Sequence, residues 1–143
     1  MKFPYLKQPN LLNPREPWIS RPIIPVRISH KNNSLNISAL IDSGADFCLF
    51  HSEIGRRLGL EIEKGKPLKF FGIEGSPINA YLHSIEFQII GIDHSVIIPV
   101  AFTESSGVVA ILGQLGFFDN FRIKFEKNHN IIEITPVRKK WII

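Results

Sequence analysis

The chain has 143 residues, of which 44% are hydrophobic and 21% charged, and its formal net charge is +4. This length fits one domain with a hydrophobic core, and the absence of any run of about 18 apolar residues excludes a membrane-spanning helix. Arg138, Lys139 and Lys140 carry three of the positive charges in a short tail, so the basicity indicates no nucleic-acid-binding face.

The cysteine and histidine content limits the chemistry that the chain can support. Cys48 is the single cysteine, so an internal disulfide is impossible and a reducing compartment is favoured. Its apolar neighbours Phe47 and Leu49 indicate a buried residue rather than a nucleophile. The five histidines lack metal-ligand spacing, so we expect no metal and no cofactor. Residues 1–7 lack the apolar core of a signal peptide, which predicts a cytoplasmic protein.

The pattern changes at about residue 23. Residues 1–22 contain five prolines, which remove backbone donors and interrupt helix and sheet. We interpret this stretch as an extended arm packed through Trp18, with a disordered leader as the alternative. Ile24, Val26 and Ile28 then alternate with other residues, as in a half-buried strand.

Asp42-Ser43-Gly44-Ala45 is the most informative segment. It lies between an apolar run that ends at Ile41 and a second one over residues 47–50. A carboxylate at the end of a buried strand is costly unless it is hydrogen-bonded or paired, and Gly44 gives the backbone freedom for a tight loop. The segment can therefore present one carboxyl group to a water molecule. An ordinary turn is the alternative, since these residue types are common in turns.

The middle of the chain predicts a helix and several strands. Residues 52–59 have the pattern of a short helix, capped by Ser52 and ended by Gly59. Residues 70–76 form a glycine-containing hairpin between two strands. Pro99 interrupts the next apolar strand, which favours an edge position or a bulge.

A second apolar strand ends in Ile111-Leu112-Gly113, about seventy residues after Asp42. Residues 115–121 then predict a short helix, and a final hairpin runs from residue 122 to 134. Many short, closely spaced strands indicate an all-β sandwich or barrel with one or two short helices.

The order of these segments resembles the retroviral-type aspartic proteases (retropepsins) and their stand-alone bacterial and cellular members. The resemblance rests on Asp42-Ser43-Gly44, the hairpin at 70–76, Ile111-Leu112-Gly113 and the helix that follows. It implies an all-β, single-domain retropepsin-like acid protease barrel acting as a homodimer. The predicted organisation is a Pro-rich N-terminal arm at 1–22, the protease domain at 23–136 and a basic, apolar C-terminal tail at 137–143.

The resemblance also implies roles for individual residues. Aspartic endopeptidases hydrolyse peptide bonds with a water held between two carboxylates that share one proton, so each chain would contribute Asp42 on a twofold axis. Ser43 would hydrogen-bond across that axis, and Gly44 would contact the substrate main chain. The polypeptide substrate would bind as an extended strand and be cut between hydrophobic residues. The substrate-binding residues would be Ala45, Asp46, Phe71, Gly72, Ile73, Glu74 and Gly75, and those supporting the catalytic loop Ile111, Leu112 and Gly113.

One residue departs from the retroviral pattern. Gln114 stands where retroviral members commonly have an arginine that pairs with the acid corresponding to Asp46, so the dimer could be weak. Residues 137–143 could join the dimer seam through Trp141, Ile142 and Ile143, or remain solvated.

Two other interpretations stay open. One is a non-catalytic dimeric peptide-binding module of the same fold, which the change at Gln114 favours. The other is an unrelated small β-barrel with a structural turn at residues 42–45, which would be a monomer.

Overall fold

The computed structural model describes residues 1–71 and 75–138 and is 57% strand and 12% helix. None of the helices in these ranges is long and apolar enough to cross a membrane. The twelve strands are β1 (Lys2–Pro4), β2 (Leu6–Pro9), β3 (Trp18–Arg21), β4 (Ile23–His30), β5 (Asn33–Ile41), β6 (Cys48–His51), β7 (Lys66–Phe71), β8 (Pro77–Ile89), β9 (Ser95–Thr103), β10 (Ala110–Leu112), β11 (Phe121–Glu126) and β12 (Ile131–Pro136).

The helices are short, as expected. The two α-helices are α1 (Ser52–Arg57) and α2 (Phe117–Asn120), and 3-10 turns cover Ile62–Lys64 and Lys127–His129. The predicted cap of α1 is wrong by one residue, because His51 is the N-cap and its Nδ1 accepts a hydrogen bond from Glu53 N–H at 3.1 Å. Ser52 is instead the first helical residue and is buried.

Six strands close into a barrel in the order β4-β5-β10-β6-β9-β8, and β8 pairs with β4 to complete the ring. β7 is added to the outer edge of β8. The alternation predicted for β4 is confirmed, since Ile24, Val26 and Ile28 are fully buried. The ladder between β6 and β9 begins at Val100, so Pro99 lies where β9 is paired with β8 alone, a local edge position of the kind in which proline is tolerated. The all-β barrel predicted from the sequence is confirmed.

Aromatic side chains fill much of the core. Phe87, Phe117 and Phe121 contact one another with ring centroids 5.4 to 5.9 Å apart, and Phe50 and Phe102 meet edge to face at 6.0 Å. Because these residues come from β6, β8, β9, β11 and α2, their packing joins the C-terminal hairpin to the barrel.

The first 22 residues are more ordered than a simple extended arm. β1 pairs with β12, which also pairs with β11, and β2 and β3 form a separate hairpin. Phe3 and Tyr5 are each 7% exposed and belong to the core, whereas Trp18 is 60% exposed. The expected anchor at Trp18 is therefore wrong, because the arm is held by strand pairing and by the two earlier aromatic residues.

Replacement of Phe3 tests whether the arm is part of the folded unit. Phe3→Ala should lower the free energy of unfolding by about 3–5 kcal/mol, since it removes a buried aromatic side chain. Leu12→Ala is the matched control, because Leu12 is 96% exposed and should change stability by no more than about 0.5 kcal/mol. Urea denaturation measures both, and equal stabilities would show that β1 does not contribute to the core.

Candidate active site

Asp42 lies directly after β5, at the point where this strand runs beside β10. The two strands are parallel, with Leu40 opposite Ile111 and Ile41 opposite Leu112. The Asp42 N–H donates to the Leu112 carbonyl at 2.9 Å, which continues the pairing by one residue. Ile41 is buried and Asp42 is half-buried, so the carboxylate leaves the core at a position fixed by the barrel.

The loop after Asp42 folds back on the carboxylate. The Gly44 N–H donates to Asp42 Oδ1 at 3.0 Å, and the Ala45 N–H donates to the Asp42 carbonyl at 3.2 Å. Among the described residues Asp42 Oδ2 has no hydrogen-bond partner, so it can bond to water or to a substrate. Ser43 and Gly44 are exposed, and the loop therefore presents one oriented carboxylate on an open face.

The chain segment after β10 supports this loop from behind. A side chain at Gly113 would lie 2.7 Å from the Ala45 carbonyl oxygen and closer still to the Phe47 carbonyl oxygen. The Gln114 N–H donates to the Ala45 carbonyl at 2.8 Å, and the Leu115 N–H donates to the Asp46 carbonyl at 2.9 Å. The two backbones are thus in direct contact, which only glycine at residue 113 allows.

Gln114 makes a contact that the sequence did not predict. Its Nε2 donates to the Ser43 carbonyl at 2.7 Å, so the side chain holds the Asp42 loop rather than the carboxylate of Asp46. The Asp46 side chain is exposed. Glutamine can donate in this way but brings no charge, so the support within one chain is a neutral hydrogen bond.

Cys48 is buried, in agreement with its interpretation as a non-nucleophilic residue. Its Sγ accepts a hydrogen bond from the Gly113 N–H at 3.4 Å, and its thiol donates to the Leu115 carbonyl at 3.5 Å. Burial raises the pKa of the Cys48 thiol. The thiol thus supports the site by hydrogen-bonding to Gly113 and Leu115, the residues on either side of Gln114. The apolar sequence around Cys48 did not predict this role.

The predicted hairpin over residues 70–76 is present at its base. Phe70 pairs with Ile78 and Phe71 with Pro77 in the β7–β8 ladder, and Gly75 has a φ of +78°, which favours glycine. The other proposed flap residues, Gly72, Ile73 and Glu74, lie outside the described residues.

A cavity of about 140 Å³ separates the hairpin base from the Asp42 loop. Phe47 and Phe70, which both line it, contact each other with ring centroids 5.3 Å apart. The cavity is mostly apolar and suits a hydrophobic side chain. Its lining residues are Ala45, Asp46, Phe47, Leu49, Phe70, Phe71, Ile78 and Ile111.

A larger groove of about 410 Å³ lies on the other side of Ile111. Leu40 and Val109 border it, together with Leu6 and Arg21 from the N-terminal hairpin. Ile111 therefore lies between two depressions and lines both. Within residues 1–71 and 75–138, no group of three histidine, cysteine, aspartate or glutamate side chains could hold a metal ion.

The solved structures similar to this chain include three aspartic proteases or protease-like domains. A retropepsin-like aspartic protease from Rickettsia conorii has a TM-score of 0.60 at 15% identity, and the match covers 94% of this chain and 98% of that one. The retroviral protease-like domain of Ddi1 from Leishmania major has a TM-score of 0.60 at 15% identity, with 83% and 91% covered. The EIAV protease, solved with the inhibitor HBY-793, has a TM-score of 0.50 at 20% identity, with 75% and 88% covered.

No family model and no curated protein matches the sequence. The structural matches nevertheless confirm the resemblance: the chain has the retropepsin-like fold.

Substitution of Gly113 tests the contact behind the loop. Gly113→Ala should lower the free energy of unfolding by about 1–3 kcal/mol, because the added methyl group overlaps the carbonyls of residues 45 and 47. Gly107→Ala is the matched control, since a side chain there meets nothing within 4 Å. Urea denaturation measures the difference, and a Gly113→Ala protein as stable as the control would show that the loop is not packed on residue 113.

Proposed function

We propose that this chain is an aspartic endopeptidase whose active site forms between two copies. The observation that carries this proposal is the Asp42 carboxylate, which is fixed by β10 and by the Gly44 N–H yet lies on an open face. The fold, shared with three aspartic proteases or protease-like domains, supports a protease. A rigid carboxylate with a free oxygen is what general acid–base catalysis of water attack requires.

The chemistry needs a second carboxylate. One copy of the chain supplies one Asp-Ser-Gly loop, so a twofold axis beside Asp42 would bring a second Asp42 within reach. Two carboxylates so close share one proton. The ionised Asp42 accepts a proton from the attacking water, and the protonated one donates a hydrogen bond to the substrate carbonyl oxygen. The proton gained from water then goes to the leaving amine as the tetrahedral intermediate breaks its C–N bond.

The exposure of the residues around Asp42 supports these roles. Ser43 and Gly44 are exposed, so in the proposed dimer Ser43 would hydrogen-bond to the second loop and Gly44 would contact the substrate main chain. Ala45 and Asp46 border the small apolar cavity. An extended substrate would lie between this loop and the hairpin at residues 70–76, and opening of the hairpin would admit it.

The small apolar cavity supports a preference for substrates with a hydrophobic side chain beside the scissile bond. Phe47, Leu49 and Phe70 are among the apolar residues that line it. An acidic side chain placed there would lose its hydration and meet the carboxylate of Asp46 rather than a cation.

A non-catalytic peptide-binding dimer is the second candidate. It is favoured by Gln114, which holds the Ser43 carbonyl through a neutral bond and gives the loop no cation. A binder needs the groove and the dimer but not a proton shared between carboxylates. Proteolysis therefore separates the two functions.

The test is cleavage of a diverse peptide library by the purified protein from acidic to neutral pH, read by mass spectrometry. Asp42→Asn should lower the cleavage rate by about a thousandfold or more, because the amide keeps the shape of the side chain but cannot accept the proton. Asp93→Asn is the control, since Asp93 is an exposed residue of the β8–β9 turn, and it should cleave like the unchanged protein. Equal cleavage by the Asp42→Asn protein would contradict the proposed mechanism, and absence of cleavage by the unchanged, folded dimer would favour the binding module.

A further inference from the structure

A second cavity, which we call the outer cavity, lies on the other side of Ile78 from the small apolar cavity. It encloses about 570 Å³ between α1, the start of β8 and the end of β9. Ile62, Tyr81 and Phe102 give it apolar walls, and Ile78 lines both cavities. A polypeptide that leaves the proposed cleft past Ile78 would therefore reach the outer cavity directly.

The outer cavity contains an unsatisfied polar group. Ser52 is 1% exposed, and its Oγ is the one buried side-chain nitrogen or oxygen without a hydrogen-bond partner among the described residues. Thr103 in the same wall shows the contrast, since its Oγ1 donates to the Asn79 carbonyl at 2.9 Å and accepts from the Ser105 N–H at 3.2 Å. A buried hydroxyl without a partner is costly, so it indicates a missing hydrogen-bonding group.

The mouth of the outer cavity has an excess of negative charge. Glu63 and Glu104 line it, and both contact one cation, Arg56, whose Nη2 lies 3.9 Å from Glu63 Oε1 and is hydrogen-bonded to Glu104. Arg56 also contacts Glu53 at 3.5 Å. One guanidinium thus faces three carboxylates, and a second cation would be attracted to the same place.

The electrostatics of Glu104 agree with this picture. The Arg56 guanidinium holds the pKa of the Glu104 carboxyl below its usual range, with smaller contributions from His51 and from the nearby Ser52 hydroxyl. Glu104 is therefore ionised at neutral pH. The Ser52 hydroxyl is close enough to Glu104 to lower the pKa of that carboxyl, although no hydrogen bond of normal geometry joins the two groups.

We propose that the outer cavity binds a basic side chain, an ammonium or guanidinium group on an apolar stem. The stem packs on Tyr81 and Phe102, the cation lies beside Arg56 at the carboxylates of Glu63 and Glu104, and one of its N–H groups donates to Ser52 Oγ. We assign this basic group to a lysine or arginine of the substrate, located beyond the residue that fills the small apolar cavity. This assignment rests on the proposed function. A free amine has the same chemistry, and the experiments below separate the two sources.

Binding is tested first on the full-length Asp42→Asn protein, so that the result does not depend on catalysis. The probes are Nα-acetyl-arginine amide and Nα-acetyl-citrulline amide, which have a similar shape but differ in charge. The arginine probe should shift the NMR signals of the Ser52, Asn79 and Ser105 amides in a saturable way. The citrulline probe should bind about tenfold more weakly, because it lacks the charge.

Three variants of that protein check the contacts: a double variant with its matched control, and a single variant. Glu63→Gln with Glu104→Gln should weaken binding of the arginine probe by about tenfold or more, whereas Glu126→Gln with Glu133→Gln, which changes the net charge equally, should not. Ser52→Ala should weaken binding while raising the midpoint of urea denaturation, since it removes an unpaired hydroxyl. Equal binding by both double variants, or no saturable shift, would overturn the proposal, and so would a lower denaturation midpoint for Ser52→Ala.

The source of the basic group is tested with a peptide that the unchanged protein cuts. The peptide is made in two forms, with arginine or norleucine at the residue that would reach the outer cavity. If the ligand is a substrate side chain, the KM of the arginine peptide should be about tenfold lower than that of the norleucine peptide. This difference should disappear in the protein that carries Glu63→Gln and Glu104→Gln. Probe binding without this preference would overturn the substrate assignment and leave a free amine as the ligand. Probe binding to a protein that cuts no peptide would overturn the proposed protease function and support the outer cavity alone.

Discussion

The parallel pairing of β5 with β10 is the constraint on which the site depends. It places Leu112 where the Asp42 N–H bonds to its carbonyl, and it brings Gly113 against the backbone of residues 45–47. The backbone N–H groups of Gln114 and Leu115 can then donate to the carbonyls of Ala45 and Asp46. The carboxylate is therefore positioned by backbone geometry, which a barrel fixes more firmly than side-chain contacts on a mobile loop could.

Short-range patterns in the sequence were sufficient for much of this arrangement. The alternation of Ile24, Val26 and Ile28 predicted β4, because a strand requires a period of two. Support of the Asp42 loop by Ile111-Leu112-Gly113 was implied by the resemblance, and the structure shows its physical basis, since a close backbone approach requires glycine. The order of these segments gave the resemblance, and the structural matches confirm the fold.

Contacts between distant segments were not predictable in the same way. Phe3 and Trp18 look equally suitable as anchors in the sequence, and only the pairing of β1 with β12 determines which one is buried. Gln114 could have faced Asp46, but the loop geometry directs it to the Ser43 carbonyl. The outer cavity is lined by Ser52, Glu63 and Glu104, which come from three separate segments, so no sequence motif predicts it. The tail at 139–143 lies outside the described residues.

The central claim is that Asp42 is half of an active site. The most direct measurement adds increasing amounts of the Asp42→Asn protein to a fixed amount of the unchanged protein, under conditions where subunits exchange, and follows cleavage of one peptide. If each site needs two Asp42 carboxylates, mixed dimers are inactive, and the rate should fall in proportion to the unchanged fraction of the total protein. A rate that stays constant as the variant is added would show that one chain carries a complete site, and would contradict the account.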